Sequence, residues 1–173
     1  FYNYGVDALS YIDQGDGPIT LLMIHGFGED NQVWQAQINY LSKQYRVIAP
    51  NLPGVHCKPL PIHHSEQPTI QHYVQILHAL MHHLDIEQYY IMGHSMGGYI
   101  GLAFADYYVN HVLGLGLIHS TSFADSDAKK ASRLKVAEFL TEWGTQKYLE
   151  TATPNLFGPA FKQAHPDQIQ NLM

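Results

Sequence analysis

The sequence predicts an α/β fold, a mostly parallel sheet with helices on both faces. Three observations predict it. Continuous apolar runs at residues 19–24, 89–92 and 112–118 have the length and composition of strands buried on both faces. Segments with apolar residues at helical spacing separate them, and strands alternating with helices imply parallel pairing. Gly93-His94-Ser95-Met96-Gly97 sits between an apolar run and a helical stretch, the order strand, sharp turn, helix.

Residues 1–6 and 8–12 alternate and predict two antiparallel strands joined near Asp7. Gln14-Gly15-Asp16-Gly17-Pro18 is a turn cluster. Residues 19–24 are a buried strand. Residues 31–45 carry Val33, Trp34, Ile38 and Leu41 at helical spacing, and residues 46–49 form a strand ended by Pro50. Residues 51–68 hold many of the prolines and read as a loop. Residues 70–84 place Tyr73, Val74, Leu77, Leu80, Met81 and Leu84 on one helical face. The strand before Ser95, the helix after it and the strand at 112–118 follow.

Beyond His119-Ser120 the pattern changes. Residues 125–143 read as a polar-faced helix with Ala131, Leu134, Ala137, Phe139 and Leu140 inward, closed by Gly144. A short helix is expected at 145–151, a loop at 154–159, and a further helix opened by Pro166 with Asp167 in its first turn. No strand separates these helices, so they read as a lid. The expected organisation is a core over 1–120 and a helical cap over 121–173, with the chain stopping at Met173 in mid-helix.

Composition excludes several function classes. The hydrophobic fraction is 46% and the charged fraction 14%, a soluble globular profile. A net charge of −6 without any basic run argues against a nucleic-acid partner. No stretch reaches about 18 consecutive apolar residues, so no membrane span is expected. Phe1-Tyr2-Asn3-Tyr4 lacks the features of a signal peptide, and without an initiator Met the start is expected to be either trimmed or incomplete. The single cysteine, Cys57, cannot form an internal disulfide, which fits a reducing, cytoplasmic setting. No cofactor is implied, since no G-x-G-x-x-G follows a strand and no Walker-type loop occurs. No metal is implied either. His78 and His82 lie four apart on one helix, with His83 beside them and His63-His64 upstream, but a zinc site needs a third ligand and no H-E-x-x-H occurs. Oligomeric state is not readable.

The chemistry concentrates at Ser95. In a strand–turn–helix context, a G-x-S-x-G turn exposes the serine hydroxyl and sets a helix N-terminus beneath the place where negative charge develops. The flanking glycines allow strand and helix backbones to approach closely.

Three motifs together, His25-Gly26-Phe27-Gly28, Asn51-Leu52-Pro53-Gly54 and Gly93-His94-Ser95-Met96-Gly97-Gly98, resemble the N-terminal two-thirds of an α/β-hydrolase fold protein. The resemblance covers essentially the whole chain and is closest to small bacterial carboxylesterases with a helical cap. The segment His119-Ser120-Thr121-Ser122-Phe123-Ala124-Asp125 resembles the strand-to-cap junction of that group. The resemblance implies Ser95 as nucleophile forming an acyl-enzyme on a small carboxylic ester. It implies an oxyanion hole from the backbone N–H groups of Met96 and Phe27. His25 is expected to shape the oxyanion loop rather than act as base, and His94 to pack.

In this fold the acid and the histidine follow the serine. Asp106, His111, His119, Asp125, Asp127, His165 and Asp167 are of the right type, but Asp106 and His111 lie at the far end of the helix after Ser95. The resembling family places its acid and histidine after later strands, so both are expected beyond residue 173. The loop Asn51-Leu52-Pro53-Gly54-Val55-His56-Cys57-Lys58 departs from the family's pattern in losing its last glycine and serine, and Cys57 reads as a surface loop residue. The expected partner is a small-molecule ester, with neither nucleic acid nor membrane. The alternative is a non-catalytic module on the same core. Acyl transfer, perhydrolysis, thioester cleavage and C–C hydrolysis share the elbow.

Overall fold

The apolar run at 19–24 folds as β2 (Thr20–Ile24), in which Leu22, Met23 and Ile24 are no more than 1% exposed. The computed structural model describes residues 9–55 and 69–170. β3 (Arg46–Pro50) and β4 (Tyr89–His94) flank β2, each parallel to it. β5 (Val112–Ile118) continues the parallel sheet beyond β4. β1 (Tyr11–Gln14) closes the other side, antiparallel to β3. The sheet order is β1-β3-β2-β4-β5.

The strand expected at 1–6 lies outside the described residues. The one expected at 8–12 begins later and takes in Gln14, because pairing runs from Tyr11 opposite Pro50 to Gln14 opposite Val47. A two-pronged pair between Arg46 and Asp13, at 3.0 and 2.7 Å, holds that register. Local alternation could not reveal a limit set by the partner strand.

Alternation sends neighbouring strand residues to opposite faces, and each face has its own core. On one, Leu22, Ile24, Ile48 and Ile91 pack with side chains of α2 (Ile70–His83) and α3 (Met96–Tyr107). On the other, Met23, Val47 and Ala49 pack with Trp34 and Ile38. α2 buries Val74, Leu77, Leu80 and Met81, as their spacing predicts. The helix expected at 31–45 is a 3₁₀ turn (Asn31–Trp34) followed by α1 (Gln35–Leu41). The tighter winding leaves Val33 exposed, contrary to expectation, while Trp34 and Ile38 stay buried.

Topology places the functional end. From β2 the chain moves to β3 on one side, then crosses to β4 on the other. The loops leaving β2 and β4 therefore diverge at a topological switch point, where crevices open at the carboxyl ends of parallel strands.

The chain divides into two compact units, Phe1–Ser122 and Phe123–Met173. In the second, α4 (Asp127–Ala152) is capped by the Ser126 side chain and interrupted at Gly144, whose φ of 79° and ψ of 170° suit only glycine. That break falls where the sequence predicts a helix end. A 3₁₀ turn (Thr153–Leu156) occupies part of the expected loop. α5 (Pro159–Ala164) and α6 (Pro166–Gln170) each open on proline. The inward face expected of α4 is corrected. Ala131, Leu134 and Ala137 are exposed, Phe139 and Leu140 are half-buried, and no residue of α4 is fully buried. So short a helical unit has little apolar surface of its own against which to bury a face.

Candidate active site

Ser95 occupies the turn between β4 and α3 with φ 50° and ψ −113°. A side chain with positive φ is strained, by about 1–3 kcal/mol, and persists only where its surroundings over-determine it. Three backbone-directed bonds do so here. Ser95 N–H donates to the Ile118 carbonyl at 3.0 Å, Gly98 N–H donates to the Ser95 carbonyl at 3.0 Å, and the Ser120 hydroxyl donates to the same carbonyl at 2.8 Å. The glycines of the motif answer to contact. A Cβ on Gly93 would stand 2.4 Å from the Gly97 carbonyl oxygen, and one on Gly97 2.2 Å from that of Ile24. Strand and helix touch backbone to backbone. Met96 opens α3, so its N–H belongs to the helix start that has no intrahelical acceptor.

Beside this turn runs the loop leaving β2. A Cβ on Gly26 would lie 3.2 Å from that of Ser95, which puts the His-Gly segment directly against the serine. Phe27 and Gly28 turn the chain, Gly28 with φ 74°. His25 is buried, and both ring nitrogens are engaged. Nε2 accepts the Leu52 N–H at 2.9 Å and Nδ1 lies 2.8 Å from the Gly26 carbonyl. Acceptance at Nε2 puts the proton on Nδ1, which donates to Gly26. Burial holds the His25 pKa below the usual imidazole value, against smaller upward pulls from the Gly26 bond, Glu29 and Asp30. Asn31 fastens the far end of the loop, its N–H donating to Asn51 Oδ1 at 2.8 Å and its Nδ2 to the Ala49 carbonyl at 3.0 Å.

Between loop and turn lies Glu29, which sequence reasoning missed. Its Oε2 accepts the Gly26 N–H at 2.7 Å and sits 2.9 Å from His94 Nδ1. An acidic residue in a glycine turn reads as solvated. Its spacing three residues after Gly26 was the available signal. His94 also meets Trp34 and His119 edge-on, with ring centroids 6.2 and 6.1 Å away. It is tied to the loop rather than simply packed.

Other candidates lie elsewhere. His111 precedes β5 and its carbonyl accepts the Tyr89 N–H, at the end of the sheet opposite Ser95. His78 stacks on Tyr108 at 3.8 Å, with His111 at 5.0 Å. Among the described residues, no group of three or more His, Cys, Asp or Glu is placed to hold a metal ion. Asp125 pairs with Arg133, whose hydrogen bond holds its carboxyl below the usual range, and Asp127 pairs with Lys130. His119, with φ 46°, follows β5 at the functional end. His56, Cys57, His63 and His64 lie outside the described residues. No helix among the described residues is long and apolar enough to cross a membrane.

Known proteins share this fold. A thermophilic esterase from Thermogutta terrifontis superposes with a TM-score of 0.83 at 31% identity, over 95% of this chain and 59% of that one. The dihydrolipoyllysine-residue acetyltransferase component of an acetoin cleaving system from Pseudomonas putida is 33% identical over 112 residues, 65% of this chain and 30% of that protein. An (E)-2-((N-methylformamido)methylene)succinate hydrolase from Acinetobacter baylyi is 36% identical over 90 residues, 52% of this chain and 33% of that protein. The chain thus spans about a third of these two curated relatives. The family model for the alpha/beta hydrolase fold matches residues 19–165, which takes in β2 with its loop, the Ser95 turn, α4 and α5. That match spans most of the chain, and this chain belongs to the alpha/beta hydrolase fold family.

Proposed function

We propose that this protein is a serine hydrolase of small carboxylic esters in which Ser95 is the nucleophile. The Ser95 hydroxyl attacks the ester carbonyl, the alcohol leaves, and water then releases the acid from the acyl-enzyme. The N–H groups of Met96 and Phe27 receive the oxyanion. The single observation that carries this reading is the Ser95 backbone, φ 50° and ψ −113°, held against strain by the Ile118, Gly98 and Ser120 bonds. Strained residues held by their surroundings cluster at active sites. The likeness to the Thermogutta terrifontis esterase favours an ester over other acyl substrates.

His25 does not suit the base, since both its ring nitrogens are occupied. We assign the acid and histidine to sequence following Met173, in the order serine, acid, histidine. This chain's coverage of 59% of the esterase's length leaves room for them. The test is intact mass after exposure to a fluorophosphonate probe, with ester turnover measured in parallel on the full-length protein. One probe on Ser95, with uptake and turnover both lost in Ser95→Ala, is the expected result. Turnover surviving in Ser95→Ala would sink the serine mechanism. A folded full-length protein that takes up no probe would instead favour a non-catalytic module.

A further inference from the structure

We propose that Glu29 is a positioning residue that clamps the loop after β2 to the Ser95 turn, so that the N–H groups of Phe27 and Met96 keep one fixed spacing. This role rests on the hydrolase reading above.

One carboxylate oxygen makes the clamp. Oε2 of Glu29 takes the Gly26 N–H at 2.7 Å and meets His94 Nδ1 at 2.9 Å. Gly26 immediately precedes Phe27, and His94 immediately precedes Ser95. The tie therefore acts one residue upstream of each segment that would hold the reacting group. An ionised carboxylate only accepts, so His94 carries its proton on Nδ1 and donates it. Both contacts are charge-assisted, the short and directional kind. The site is tight. A Cβ on Gly26 would lie 3.0 Å from Glu29 Oε2, 3.2 Å from His94 Nδ1 and 3.2 Å from the Ser95 Cβ. The Glu29 and His94 side chains are 21% and 24% exposed, so water screens the pair less than it would a surface pair.

Of the loop's bonds through His25, Glu29 and Asn31, that of Glu29 reaches the turn at Ser95. His25 joins it to Leu52, and Asn31 joins it to Asn51 and Ala49, all on the β3 side. Beyond the pairing of Ile24 with Gly93, Glu29 ties the loop itself to the turn that follows β4. A carboxylate so near a developing oxyanion would repel it if left bare, and the two donors on Oε2 offset that charge.

The test measures ester turnover and Gly26 amide exchange in the full-length protein, unmutated and carrying Glu29→Ala or Glu29→Gln. Glu29→Ala is expected to lower kcat by about 10- to 100-fold with KM changed less than about threefold, the signature of misplaced rather than missing donors. Gly26 amide exchange should quicken at least about tenfold. Glu29→Gln keeps a carbonyl acceptor and should recover kcat to within about fivefold. Should Glu29→Ala not fold, Glu29→Met, of similar volume and lacking an oxygen, is expected to show the same losses. An active unmutated protein whose Ala or Met variant keeps its kcat overturns this role alone. So does unchanged Gly26 exchange. An unmutated protein with neither turnover nor probe uptake overturns the hydrolase reading, and this role with it.

Discussion

The Leu52 N–H donates to Nε2 of His25 at 2.9 Å, and that bond decides the protonation state of a buried imidazole. A protonated ring would have no lone pair to accept it. His25 is therefore a neutral strut between the loops leaving β2 and β3. His25→Ala should cost about 1–3 kcal/mol, because it leaves the buried Leu52 N–H without a partner. Urea unfolding of the purified variant checks this, and an unchanged midpoint would refute the strut.

Burial also lowers the pKa of His78, whose ring lies on Tyr108 and faces His111 and His82. Its Nδ1 is buried without a hydrogen-bond partner among the described residues. With folded pKa values below that of an unfolded histidine, about 6.5, His25 and His78 are neutral in the folded state while the unfolded chain takes up protons. Stability is then fully present above about pH 6.5 and falls as pH drops towards the folded pKa values. His78→Phe should flatten part of that acid slope with little loss at neutral pH. Thermal melts at several pH values read both effects, and an unaltered slope would show that His78 does not contribute.

Ser95 bears backbone strain that glycine would not. Ser95→Gly should raise stability by about 1 kcal/mol, the relieved strain exceeding the extra freedom of the unfolded glycine. The same change removes the hydroxyl and with it any probe uptake. Stability exchanged for a functional conformation is the general pattern at active sites. A variant that melts below the unmutated protein would argue that the turn is relaxed.

Gly97 tests the close approach of strand and helix. In an exposed helix, Gly→Ala gains about 1 kcal/mol of propensity. Here the added Cβ would stand 2.2 Å from the Ile24 carbonyl oxygen, and backbone cannot rotate aside as a side chain can. Overpacking of this kind costs enough to reverse the sign, and Gly97→Ala should lose about 2 kcal/mol. Urea unfolding decides it, and a gain in stability would show that the helix can retreat.

The elements with strong local signals were legible. β2 declared itself by an unbroken apolar run and α2 by its apolar spacing, since burial on two faces or on one stripe leaves that periodicity in the residues themselves. The Ser95 turn was legible because the G-x-S-x-G pattern is itself local, and Gly93 is demanded by its contact with Gly97 four residues on. Val33, the limits of β1 and the face of α4 were not, because each depends on what lies opposite. Glu29 was missed for the same reason. A carboxylate in a turn has no periodicity, and its partner His94 is 65 residues away along the chain.

The sequence alone therefore determined the order of β2 to β5 with helices between them, the serine turn and the loop that faces it, since these rest on local pattern and on glycines that close approach requires. Tertiary structure alone decided that β3 and β4 lie on opposite sides of β2, and that Glu29 would join His94 to Gly26. Long-range pairing and hydrogen bonds are chosen by the packing of the whole sheet, and no local segment records which distant partner it will meet.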